Sequence, residues 1–327
     1  MNNINVLLIA IPSYSKGIIE AMHQLGYKVF FIPAKPNEGA ISKTLGRLKT
    51  PLYKKVIENY YKKEINKIKG ETINRILVLR GEYTPIKSLK LCRSFFPNAK
   101  MILYMWDSLK NCRGMEKKWP FFDAVYTFDR IDYLKYSEAI RFLPLFYYEN
   151  YLPKSPAAKP NNLVSFIGTA HEDRIPIVNK VFSFLEEHGY RTFKFFYLPH
   201  KIVFLKNKLL NKHFRGVRKS DLHFSPLAFE KLYSVYNDSM CVLDIESSTQ
   251  SGLTMRTIEL IGLHKKIITT NKDIVNYDFY NENNIMVIDR KDPKIDLTFF
   301  EKPYIDLEES IYEKYSLSNW IKKVLEE

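Results

Sequence analysis

Short apolar runs that fit β-strands alternate with longer runs patterned as helices, and this alternation restricts the fold more than any single motif. The strand-like runs in the first half are NVLLIAI (5–11), KVFFIPA (28–34), RILVLRG (75–81), MILYMWD (101–107) and AVYTFD (124–129). They are apolar end to end instead of alternating, as strands of a parallel sheet covered on both faces must be. The pattern breaks at 147–162, which is poor in apolar residues and carries Pro153, Pro156 and Pro160. It resumes with NLVSFIG (162–168), FKFFYL (193–198), MCVLDI (240–245), IITT (267–270) and NNIMVID (283–289). Before MCVLDI, SPLAFEKLYSVYNDS (225–239) reads as a capped helix. The expectation is an α/β protein of two doubly wound, Rossmann-like domains facing a central cleft. The boundaries fall at 1–152 for the first domain, 153–162 for a linker and 163–315 for the second. At 316–327 a terminal helix buries Trp320, Ile321, Val324 and Leu325, with Ser316 or Ser318 as its cap.

The stretch TQSGLTMRTIELIGLHKKIITTN (249–271) does not suit an ordinary core segment. It follows a strand, and a strand-to-helix loop at the carboxyl end of a parallel sheet is where such folds bind ligands. A helix start offers free N–H groups and partial positive charge to an anion. Ser251, Gly252 and Thr254 leave room for phosphate oxygens, and the hydroxyls of Ser251 and Thr254 can donate to them. Arg256 adds a forked cationic donor suited to a diphosphate, and Glu259, an acceptor one turn on, suits a ribose diol. The plainer alternative is a capped helix with an Arg–Glu pair, worth a few tenths of a kcal/mol.

The segment RTIELIGLHKKIITTN resembles the donor-nucleotide segment of GT-B-fold glycosyltransferases, in particular the bacterial group 1 branch with its R-x-F-E-x-x-x-x-G pattern. Ser251 stands where many relatives have a glutamate, and His264 where a glycine is usual. The resemblance implies the GT-B architecture, a C-terminal helix that crosses back to the first domain, and a nucleotide-sugar donor in the second. It also implies chemistry without a metal or other cofactor. By the same resemblance the loop after the strand at 162–168, with Gly168, Thr169, His171 and Arg174, faces the diphosphate.

The first domain then holds the acceptor and a catalytic base. Asp107, at the end of a very apolar strand, ranks first and Glu82 second. Asp129 and Asp132 read as structural.

Net charge adds a partner. Fifty Lys and Arg against 36 Asp and Glu give a formal +14, concentrated in residues 43–69 and 200–219. Both segments interleave cations with large apolar side chains, as interfacial segments do, which points to an anionic membrane surface. No nucleic-acid-binding signature is present, so nucleic acid is not expected as a partner, although a basic nucleic-acid-binding protein is one alternative class. A nucleotide-sugar epimerase or hydrolase is the other. Three cysteines without ligand spacing, no leader pattern and no run near 18 apolar residues suggest a cytoplasmic protein, peripheral on the inner membrane face. The acceptor expected there is a lipid-linked or cell-surface glycan of the lipopolysaccharide, O-antigen or capsule type.

Overall fold

The computed structural model describes residues 4–36, 51–149 and 160–326. The chain divides into two units, Met1–Leu145 with Leu317–Glu327, and Phe146–Ser316. Each is built on one parallel sheet.

In the first unit β1 (Asn5–Ala10), β2 (Lys28–Pro33), β3 (Arg75–Leu79), β4 (Lys100–Met105), β5 (Ala124–Thr127) and the short β6 (Arg141–Phe142) lie in the order β2-β1-β3-β4-β5-β6. Every neighbouring pair is parallel. Val6 to Ala10 and Ile76 to Val78 are fully buried, which explains why these strands read as unbroken apolar runs. Helices Pro12–Gln24, Pro51–Lys67 and Ile86–Phe95 supply crossovers.

The helix Leu317–Glu326 also belongs to the first unit. It buries Leu317, Trp320, Ile321, Val324 and Leu325, spaced three and four apart. Trp320 packs edge-on against Tyr104 with ring centres 4.8 Å apart. Arg75 Nε donates to the Leu325 carbonyl at 2.7 Å, and the Tyr27 hydroxyl to Glu326 at 2.6 Å.

The second unit orders β7 (Asn162–Thr169), β8 (Thr192–Tyr197), β9 (Ser239–Asp244), β10 (Lys266–Thr269) and β11 (Ile285–Val287) as β11-β10-β9-β7-β8, again all parallel. The strand order reverses between β1 and β3 in the first sheet and between β7 and β9 in the second. Such switch points open a crevice at the carboxyl ends of the strands.

Some expectations fall differently. Of the linker placed at 153–162, residues 153–159 lie outside the described residues, and Asn162 already starts β7. Residues 43–50 of the first basic segment also lie outside them. The helix Phe229–Asn237 begins after Ala228 with no side-chain cap, so the serine that opens its segment does not close it.

Candidate active site

At the second switch point, β9 ends on Asp244, only 1% exposed. Asp244 Oδ1 accepts from Arg256 Nη1 at 2.9 Å, and Oδ2 accepts from the hydroxyls of Thr254 and Thr257. Arg256 Nε donates to the Tyr236 hydroxyl at 3.2 Å, and its guanidinium lies 5.7 Å from the centre of the Phe166 ring. Burial opposes the charge on Arg256, but Tyr236 and Asp244 more than offset it and hold its pKa above the usual arginine range.

Arg256 therefore pairs with Asp244 and makes no ion pair with Glu259. The Glu259 carboxylate has no hydrogen-bond or ion-pair partner among the described residues. Burial pushes its carboxyl up to about 7, the Arg256 charge opposing and the Asp244 charge adding.

Arg174 opens the helix Arg174–Glu187 after β7. Its Nη1 reaches the Thr169 carbonyl at 3.4 Å, while Nε is buried with no acceptor. Burial lowers its pKa, and the neighbouring Arg256 charge lowers it further. Two guanidinium groups from the first turns of two different helices thus repel one another at the switch point. An anion placed there would relieve both.

The other residues expected at this site take several positions. A Cβ on Gly168 would stand 2.8 Å from the Phe166 ring and 3.2 Å from Arg256 Nη2, so its smallness admits the Arg256 side chain. Thr254 is the N-cap of the helix Met255–Gly262, accepting from Thr257 N–H while donating to Asp244. Its hydroxyl is committed to the fold, which corrects its expected role as a free donor to phosphate. Ser251 and Gly252 precede the cap. The Ser251 carbonyl accepts from Asn271 at 3.1 Å and the Gly252 carbonyl from Gln250 at 3.0 Å. Thr169 ends β7, and His171 is exposed with Nδ1 3.5 Å from Glu172.

The loops are braced from outside the motif. Arg290, just past β11, binds Asp173 at 2.6 Å and Glu246 at 2.9 Å, with Glu172 at 3.7 Å. Glu172 adopts φ +51°, strained for a residue with a side chain, and accepts from Ser248 N–H at 2.7 Å. One arginine thereby fixes the loops after β7 and β9.

In the first unit the two candidate bases meet on one cation. Arg80 Nη2 lies 3.0 Å from Glu82 and 3.2 Å from Asp107, on a backbone held at φ +68°. Asp107 Oδ1 also accepts from Ser108 N–H and Asn111, so both its oxygens are engaged. Gly81 has φ +69°, and a Cβ there would meet Leu103 at 2.7 Å. Beside this cluster is a cavity of about 610 Å³ lined by Glu82, Tyr83, Ile57, Lys87, Arg113 and Lys118 among others. Burial lowers the pKa of Lys118 to about 8, and its ammonium donates to the Gly81 and Glu82 carbonyls. Asp129 and Asp132 have structural tasks, Asp129 capping the helix Arg130–Lys135 and Asp132 accepting from Leu109 N–H.

No protein-family model matches the chain, and no curated protein matches it in sequence. Solved structures do match in shape over essentially the whole length. A glycosyltransferase from Rickettsia africae aligns with a TM-score of 0.60 at 13% identity, covering 100% of this chain and 98% of its own. Anabaena HepE, in complex with UDP and glucose, aligns with a TM-score of 0.60 at 12% identity, covering 99% of each chain. The UDP-GlcNAc 2-epimerase of Methanocaldococcus jannaschii aligns with 0.54 at 10%, covering 98% and 99%. The fold is GT-B.

A GT-B architecture is shared here by transferases and an epimerase, so chemistry has to be argued from side chains. Reading the sequence singled out Arg256, Glu259 and Arg174 in this GT-B chain. It missed Asp244 and Arg290, which give the arginine and the loops their positions. A strand-terminal acid just before the motif was the available signal for Asp244. Arg290 had none, because its partners lie far away in sequence.

Proposed function

We propose that the chain is a glycosyltransferase, moving a sugar from a nucleotide-sugar to a hydroxyl of a lipid-linked or cell-surface glycan. The observation that carries this reading is the convergence of Arg174 and Arg256 at the second switch point, with the unpartnered carboxylate of Glu259 one turn away. The two cations suit a diphosphate and Glu259 suits the ribose diol. As the glycosidic bond breaks, negative charge grows on the departing diphosphate. The two guanidiniums and the helix start at Thr254 stabilise it with no metal called for.

The acceptor is assigned to the cavity of the first unit. Glu82 lines it, whereas Asp107 is not among its lining residues. Glu82 therefore replaces Asp107 as the preferred base, taking the proton of the attacking hydroxyl. The basic segments suit work at the cytoplasmic face of an anionic membrane.

Calorimetry with nucleoside diphosphates tests the donor assignment. Arg174→Ala should weaken a nucleoside diphosphate by about 1.5–3 kcal/mol and leave the free nucleoside unchanged. Equal loss for both, or none, removes the diphosphate role. In turnover assays Glu82→Gln should cost about 10²–10⁴-fold with donor binding intact, and Asp107→Asn much less.

A further inference from the structure

The four most exposed large apolar side chains among the described residues lie on one ten-residue helix, Lys201–Leu210. Ile202 is 78% exposed, Leu205 60%, Leu209 85% and Leu210 76%, against 56% for Leu134, the next. Ile202, Leu205 and Leu209 are spaced three and four apart and form one outward stripe. The opposite side is already satisfied, since Phe204 is buried and Val203 packs against the core of the second unit. The helix thus has an inner apolar face that folds the unit and an outer one that nothing among the described residues covers.

Charge names what covers it. Residues 200–219 hold seven Lys or Arg and no Asp or Glu, and all seven are exposed. Lys206 lies on one side of the stripe and Lys201 and Lys208 on the other. Apolar side chains flanked by lysines with flexible stems fit the boundary between acyl chains and anionic headgroups. The other basic segment lacks this arrangement. The helix Pro51–Lys67 turns Ile57, Tyr61 and Ile65 into the core, and beside its lysines it exposes a single large apolar side chain, Val56, with no stripe.

We infer that the helix Lys201–Leu210 docks the second unit on an anionic lipid surface, Ile202, Leu205 and Leu209 entering the acyl boundary while the lysines hold headgroup phosphates. The helix leaves the carboxyl end of β8, the same sheet edge that carries the loops after β7 and β9. Docking there would hold the donor loops near lipid. In that respect the inference rests on the transferase reading and specifies how its substrates meet.

The test uses the full chain and vesicles of phosphatidylcholine with or without phosphatidylglycerol. Leu209→Trp should show blue-shifted emission on the anionic vesicles only. Leu205→Ser with Leu209→Ser should lower vesicle binding about tenfold, and raising salt should weaken the parent. Unchanged emission from the Leu209→Trp variant, or equal binding to both vesicle types, overturns the inference. So does a parent dimer that the double substitution converts to monomer, because a second copy would then be the occupant. Nucleoside diphosphate binding, measured without vesicles, separates the two readings. Retained nucleotide affinity with no docking sinks this inference alone, and docking without nucleotide affinity sinks the transferase.

Discussion

Glu259 is a half-buried carboxylate to which the fold gives no donor among the described residues. Its pKa, raised to about 7, exceeds that of an unfolded glutamate, so the native chain binds the extra proton between those values. Stability from this group is then greatest at low pH and declines as pH rises through about 7. Nucleotide binding should run the other way. If the ionised carboxylate accepts the ribose hydroxyls, affinity should rise up to about tenfold between pH 6 and 8. Calorimetry at the two pH values would show this, and Glu259→Gln should flatten the dependence. A parent whose affinity ignores pH over that interval would place the ribose elsewhere.

At the scale of elements, the helix Met255–Gly262 is defined by what stands at its two ends. Its start is tied to β9 through Thr254 and Asp244, and its end closes on a residue unusual for that place. His264 takes φ +50° while its N–H reaches the Ile261 carbonyl and Lys265 N–H the Leu260 carbonyl. That is the left-handed closure in which glycine is favoured, so the backbone keeps a geometry that the side chain resists. The His264 ring lies 4.8 Å from that of Tyr312, a contact glycine would not make. Gly262 meets a different constraint, because a Cβ there would stand 2.6 Å from the Tyr147 ring. Gly262→Ala should cost about 1–3 kcal/mol by overpacking, read as a lower midpoint in denaturant unfolding.

Elements differed in how openly the sequence showed them. The strands were legible because burial on both faces leaves no polar alternation to confuse them. Arg256 and Glu259 stood out as charges in an apolar run. Their true relation was hidden, since Asp244 reaches Arg256 only once β9 and the following loop are in place. The segment at 201–210 posed a further difficulty. Apolar residues three and four apart look alike whether they face core or solvent, and only the packing of Phe204 decided which stripe was left outside.

For the whole molecule, the informative feature is that the first unit is discontinuous in sequence. Trp320 and its neighbours fill a trough beside Tyr104 and Tyr27, and the second unit lies between them along the chain. A chain stopped after Ser316 should keep the second unit protected from protease while the first becomes labile, seen by limited proteolysis with mass spectrometry. Equal protection of both units would mean the helix is dispensable. The same arrangement sets an order of birth. On the ribosome the strands of the first unit must wait, with one side of their core unsealed, until the entire second unit has emerged and the helix behind it arrives. Of the two units, the one begun earlier is therefore finished later, and its uncovered surface is what chaperones would meet in the interval.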